Sequence, residues 1–213
     1  MALFSVLGAS FVLLLVLAVS FRVRDVATLL IVGLMFGSLV SAVVTVLQYY
    51  SGQEALKRFI MWGFGSLSGV TKADLGILLP AIIIGIVWTF SLSKSLNLLL
   101  LGERYAQSLG LSLMKSRISI IGATALLTGT ITAFCGPLAF LGIAVPHLTR
   151  MLLRTQQNTL LIPATLLMGS ILLLVCDIIA QLPFLEQNLP INAVTSLVGA
   201  PIVIQIILSR RSL

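Results

Sequence analysis

Gly136-Pro-Leu-Ala-Phe-Leu-Gly-Ile-Ala-Val-Pro146 is the stretch on which the reading of the fold turns. It is apolar, and a Gly-Pro pair and a second proline bracket it. A helix over Pro137–Val145, rising about 1.5 Å per residue, cannot by itself cross a hydrocarbon layer of about 30 Å. The stretch therefore reads as a short or broken helix. Such a backbone is tolerated at membrane depth only where protein or an aqueous cavity surrounds it. Whether it counts as a crossing decides the orientation of every segment after it.

Working outward, longer apolar runs cover Ala2–Phe21, Thr28–Tyr50, Leu75–Leu92, Ile118–Phe134, Leu160–Ala180 and Ala193–Leu208. Each approaches the ~20 residues that a spanning helix needs. The first run has no basic segment before it, and its first cations, Arg22 and Arg24, follow it. That order predicts a retained helix with its N-terminus outside, not a cleaved signal peptide. Counting the short piece as a crossing gives seven passes. The inner segments then hold Arg22, Arg24, Lys94, Arg104, Lys115, Arg117, Arg150, Arg154, Arg210 and Arg211. The outer ones hold only Lys57, Arg58 and Lys72. Cations concentrate on the cytoplasmic side of membrane proteins, so this asymmetry favours seven passes. A non-crossing piece would put Arg210 and Arg211 outside.

Composition agrees. Of 213 residues, 59% are hydrophobic and 9% charged, with a mean hydropathy of +1.16. Soluble domains carry about 25% charged residues, so a water-soluble fold is excluded. The net charge of +7 lies in short inter-helix segments with no aromatic interleaving, which argues against nucleic acid as a partner. Cys135 and Cys176 sit in apolar stretches and read as packing residues. No phosphate-binding glycine loop, metal-ligand cluster or nucleophile motif is found, so no catalytic residues, metal site or cofactor are expected.

Two segments between the runs are amphipathic. Gln53–Ser66 carries Leu56, Phe59, Ile60 and Gly63 at helical spacing, with Lys57 and Arg58 on another face. Ser95–Ser116 sets Leu98, Leu101, Tyr105, Leu109 and Leu113 among Glu103, Arg104, Gln107 and Lys115. Either a helix lying in the interface or a dock for a soluble partner fits, and Gly102 and Gly110 allow sharp breaks between short helices. Small residues recur at four-residue intervals in two runs: Gly33, Gly37, Ser41 and Thr45 in one, and Ala125, Gly129 and Ala133 in the other. Such a face suits close helix packing, or a pathway wall that leaves room for a bulky solute. Asp177, with Gln181 one turn on, reads as a structural hydrogen-bonding group more than as an ion-coupling site. The lone His147 is a poor metal-site signal and is expected to cap a helix end.

Gly136 to Arg150, with Gly136, Pro137, Gly142, Pro146, His147 and Arg150, resembles the signature of one permease family. The family is that of the iron-siderophore, haem and vitamin B12 ABC importers (FecCD, or type II). Leu101-Gly-Glu-Arg-Tyr-Ala-Gln-Ser-Leu-Gly110 is similar to its cytoplasmic coupling segment. Trp62-Gly-Phe-Gly-Ser-Leu-Ser-Gly69 is similar to the stretch after its fifth helix. Leu189-Pro190 and Leu197-Val-Gly-Ala-Pro201 resemble the entry to its last helix. The resemblance implies an all-α transmembrane bundle matching the last seven of the family's ten helices. It implies one permease domain over residues 1–213, with residues 95–116 as coupling helices. Its implied partners are a pair of cytoplasmic ATPases, a second permease subunit, and a periplasmic or lipoprotein substrate-binding protein, all at the bacterial inner membrane. Gly102, Glu103, Arg104, Ala106 and Gly110 would meet the ATPase. The Gly33/Gly37/Ser41/Thr45 helix would line the pathway for an iron chelate, haem or cobalamin.

The sequence also departs from the family. Gln181 stands where an arginine is common, and Asn188 and Asn192 replace a common glutamate and glycine. Two other readings are open at this level. A secondary transporter would need ion ligands at midplane. A permease lacking its first helices would be a non-transporting remnant.

Overall fold

The computed structural model describes residues 2–22, 26–181 and 189–209. All regular structure in those residues is helical, in the order α1 (Ala2–Arg22), α2 (Val26–Tyr49), α3 (Gln53–Gly63), α4 (Lys72–Ser91), α5 (Ser93–Leu99), α6 (Glu103–Ser108), α7 (Leu113–Cys135), α8 (Leu141–Leu153), α9 (Asn158–Ala180) and α10 (Ile191–Ser209). Among the described residues α2, α4, α7 and α9 contain apolar stretches long enough to cross a bilayer, and α1, α8 and α10 contain shorter ones. This is the expected polytopic helical bundle, with α8 among its shorter apolar helices.

Helix α7 is the hub of one group. It packs on α1 along one side and on α4 along another. Small residues make both approaches possible, as in membrane helix pairs generally. A Cβ on Gly129 would lie 2.7 Å from the Val6 Cα, and one on Gly85 would lie 2.4 Å from Leu127 Cδ2. Trp88 of α4 donates its indole N–H to Ser119 Oγ on α7 at 2.8 Å. Helices α8, α9 and α10 form the second group. Cys176, Ala180 and Val194 are buried together there, with Val198 against them. Both cysteines are free thiols in buried positions, as their apolar context predicts.

Polar contacts close the bundle at the end that holds α3. The Ser66 N–H donates to the Cys135 carbonyl at 2.9 Å, and the Asn192 N–H to the Phe64 carbonyl at 3.2 Å. The Asn192 Oδ1 accepts from the Ala139 N–H at 3.1 Å, and the Trp62 indole donates to the Thr132 carbonyl at 3.2 Å. Gly136 sits at the centre of this knot with φ 78°. A Cβ there would fall 2.3 Å from the Trp62 carbonyl oxygen. No other residue fits a positive φ and so close a backbone crossing together.

Three expectations need correction. The short helix begins at Leu141 rather than Pro137, and runs to Leu153 instead of ending before Pro146. Gly136 and Phe140, both at positive φ, hold 137–140 out of the helix. Pro146 forfeits only the hydrogen bond to the Gly142 carbonyl one turn earlier, a cost that a packed helix absorbs. His147 consequently lies half-buried within α8 and caps neither end. Third, among the described residues the small-residue face of α2 does not serve close packing. The neighbour of α2 is α1, and nothing lies within 4 Å of a Cβ built on Gly33 or Gly37.

Candidate coupling surface and pathway face

Opposite the knot, α5, α6 and the start of α7 form a terrace between the two helix groups. Its shape follows from two glycines. Gly102 (φ 98°) ends the turn after α5, and Gly110 (φ 86°) ends α6. These are conformations that residues with a Cβ rarely adopt, and they allow the reversals the sequence suggested. The Ala106 N–H donates to the Gly102 carbonyl at 3.0 Å, and the Leu111 N–H to the Ala106 carbonyl at 2.9 Å. Ala106 is fully buried beneath α6. A larger side chain there would lift the helix.

The outer side of the terrace is apolar and uncovered. Leu101, Tyr105 and Leu109 are 60%, 69% and 60% exposed, with Arg104 exposed beside them. Apolar exposure rimmed by charge suits either of the two readings the sequence left open, a bilayer interface or a dock for a soluble partner. Glu103 faces back toward the bundle and pairs with Arg117 of α7 at 2.5 Å. An exposed pair of this kind contributes about 0–1 kcal/mol, so its effect is mainly on the orientation of α6. On the other side Asn97 of α5 accepts from the Asn158 backbone N–H at 2.7 Å and from its Nδ2 at 3.0 Å. It also donates to Thr159 Oγ1 at 3.4 Å. Sequence reading missed Asn97, whose contacts lie some sixty residues away in the chain.

The second candidate face is the stripe Gly33, Gly37, Ser41 and Thr45 on α2, all exposed. Its hydroxyl at Thr45 is turned onto the Ser41 carbonyl one turn back, at 2.8 Å. The face is therefore smooth and only weakly polar. The signature residues do not share one site. Gly136 and Pro137 belong to the knot. Gly142 and Arg150 are exposed on α8, and Pro146 and His147 are half-buried in its middle. Arg24, Arg210, Arg211 and Asn188 lie outside the described residues, as do the side-chain contacts of Arg22. At the knot end, Gln181 Nε2 donates to Asp177 Oδ2 at 2.8 Å, the within-helix pairing that their spacing suggested.

The two-group helical bundle, with its short α8 and the terrace opposite the knot, defines a polytopic membrane protein of permease architecture. The chain belongs to the FecCD transport family, whose model matches residues 1–209. It is 37% identical over 201 residues to the vitamin B12 import system permease protein BtuC of Vibrio cholerae, covering 94% of this chain and 60% of that protein. It is 36% identical to the BtuC of Photorhabdus laumondii, covering 97% and 62%. A solved ABC transporter, assigned to the metal-chelate type and in an inward-facing conformation, superposes with a TM-score of 0.79 at 31% identity. That match covers 90% of this chain and 61% of the other. The chain thus spans about three fifths of the length of these relatives.

Proposed function

We propose that this chain acts as the later part of a permease subunit in an ATP-binding-cassette importer of the bacterial inner membrane. The observation that carries the reading is the α6 terrace: an exposed Leu101/Tyr105/Leu109 patch shaped by two positive-φ glycines, Gly102 and Gly110, in a member of the FecCD family. In this reading residues 1–213 are one permease domain, and 95–116 meet a cytoplasmic ATPase pair through Gly102, Glu103, Arg104 and Gly110. Ala106, expected from the resemblance to join them, is fully buried and only seats α6 from beneath. A mechanical contact of this kind needs no chemistry in the permease. It needs a shaped apolar surface and a rigid support, because ATP hydrolysis belongs to the partner. The terrace then faces the cytoplasm and the knot faces outward, with the C-terminus inside. The excess of cations at the terrace end supports that orientation.

The cargo class is a large metal-bearing chelate, for which the smooth α2 face supplies a wall together with a second permease subunit. Cobalamin is favoured by the relatives' names, ahead of an iron-siderophore or haem. A substrate-binding protein at the outer end delivers it. The test is co-expression with the ATPase of a vitamin B12-type importer. Leu109→Asp is expected to lower co-purification of the ATPase by about tenfold, equivalent to ~1.4 kcal/mol of lost contact. Uptake that follows an ion gradient and ignores ATP would overturn the reading.

A further inference from the structure

The terrace has two handles into the bundle, and they reach different helix groups. Glu103 ties α6 to α7, the hub of the first group. Asn97 ties α5 to the start of α9, in the second group. The second handle acts at a helix start. The first N–H groups of a helix have no partner inside the helix, and a side chain on the residue just before it ordinarily accepts only from the second or third of them, which leaves the first to an outside acceptor. At α9 that residue is Gln157, which makes no side-chain cap bond. The acceptor for the Asn158 N–H comes from Asn97, a residue of another element. The Asn158 N–H therefore keeps this acceptor only while α5 is seated against α9.

We infer that Asn97 is a positioning residue that transmits displacement of the terrace to the α8–α9 hairpin. The inference rests on the coupling reading of α6. If an ATPase draws α5 and α6 away from the bundle, the Asn158 N–H loses its acceptor and the first turn of α9 loosens. Seating α5 again restores the cap. Because α8 joins α9 through residues 154–157, the second helix group feels the terrace through this bond and the α5–α9 packing around it. The Glu103 handle meanwhile moves the first group. Asn97 thus couples the partner's stroke to the relative motion of the two groups without touching cargo.

Three variants of the chain, co-purified with the ATPase in nanodiscs, test this. Asn97→Ala removes the acceptor. Asn97→Asp keeps an oxygen acceptor, and its charge suits a helix N-terminus. Asn158→Ala removes the side-chain contact but spares the backbone one. Asn97→Ala should exchange amide hydrogens in the first turn of α9 roughly tenfold faster than wild type. It should retain the ATPase on purification yet lose about tenfold of the permease-dependent stimulation of ATP hydrolysis. Asn97→Asp and Asn158→Ala should stay within about twofold of wild type in exchange and stimulation. Unchanged exchange in Asn97→Ala, or normal stimulation despite faster exchange, overturns the inference. So does an Asn97→Asp variant as defective as the alanine. If the wild-type chain itself engages no ATPase, it is the coupling reading that falls, and the exchange data still decide whether Asn97 caps α9.

Discussion

Helices α2 and α7 carry the same device and use it differently. Both repeat small residues every four positions, Gly33/Gly37/Ser41/Thr45 on one and Ala125/Gly129/Ala133 on the other. On α7 the stripe is filled. Ala125 is 1% exposed, and α1 comes so near Gly129 that a Cβ there would meet Val6 backbone atoms. On α2 the stripe is open, with nothing within 4 Å of a Cβ at Gly33 or Gly37. The spacing of small residues thus signals a surface that admits a close neighbour. It does not say whether the neighbour is a helix of the same chain, another subunit or a solute. In a bilayer the ambiguity is sharper than in water, because lipid tails cover an unfilled stripe at little cost and no hydrophobic penalty forces it shut.

One substitution made at both stripes is the strongest way to break this contrast. Gly129→Leu must push α1 off α7, and should destabilise the bundle by about 3 kcal/mol or more. Equilibrium unfolding in mixed micelles measures it, and a near-neutral result would mean that the α1–α7 contact is loose. Gly37→Leu should leave unfolding within about 0.5 kcal/mol of wild type, since it meets only open space. Transport in the assembled importer should nevertheless fall by about tenfold if that face lines the pathway. Unchanged transport would return the α2 stripe to lipid or to a subunit contact. The smallest effect has the opposite sign. Gly33→Ala should stabilise α2 by up to about 1 kcal/mol, because glycine is the poorer helix former and the added methyl touches nothing. A destabilised Gly33→Ala would show that the stripe already has a close neighbour.

The rest of the molecule divides along the same line. The breaks at Gly102 and Gly110 were legible because a positive φ is a local property with a strong residue preference. The apolar set of residues 95–116 was legible from its spacing, but the breaks at the two glycines leave only Leu101, Tyr105 and Leu109 of it exposed, with Leu98 and Leu113 half-buried. Asn97 was not, since its worth lies in meeting Asn158 across a tertiary contact. The true extent of α8 was obscured for a related reason. Pro146 looks like a stop in one dimension, whereas packing of the buried Ala144, Val145 and Thr149 carries the helix through it. Asn192, notable in sequence only as a departure from family pattern, turns out to bridge two backbones in the knot.

By itself the sequence determined the helical class and the approximate position of the long apolar helices. Each of these is a sum of residue transfer free energies within a single segment, so no knowledge of neighbours is required. Only the tertiary structure decided which small stripe is filled, which residue caps α9, and how the Gly136 knot joins three loops. Those outcomes depend on which surfaces the chain brings together, and van der Waals contact and hydrogen bonds reward only groups that meet.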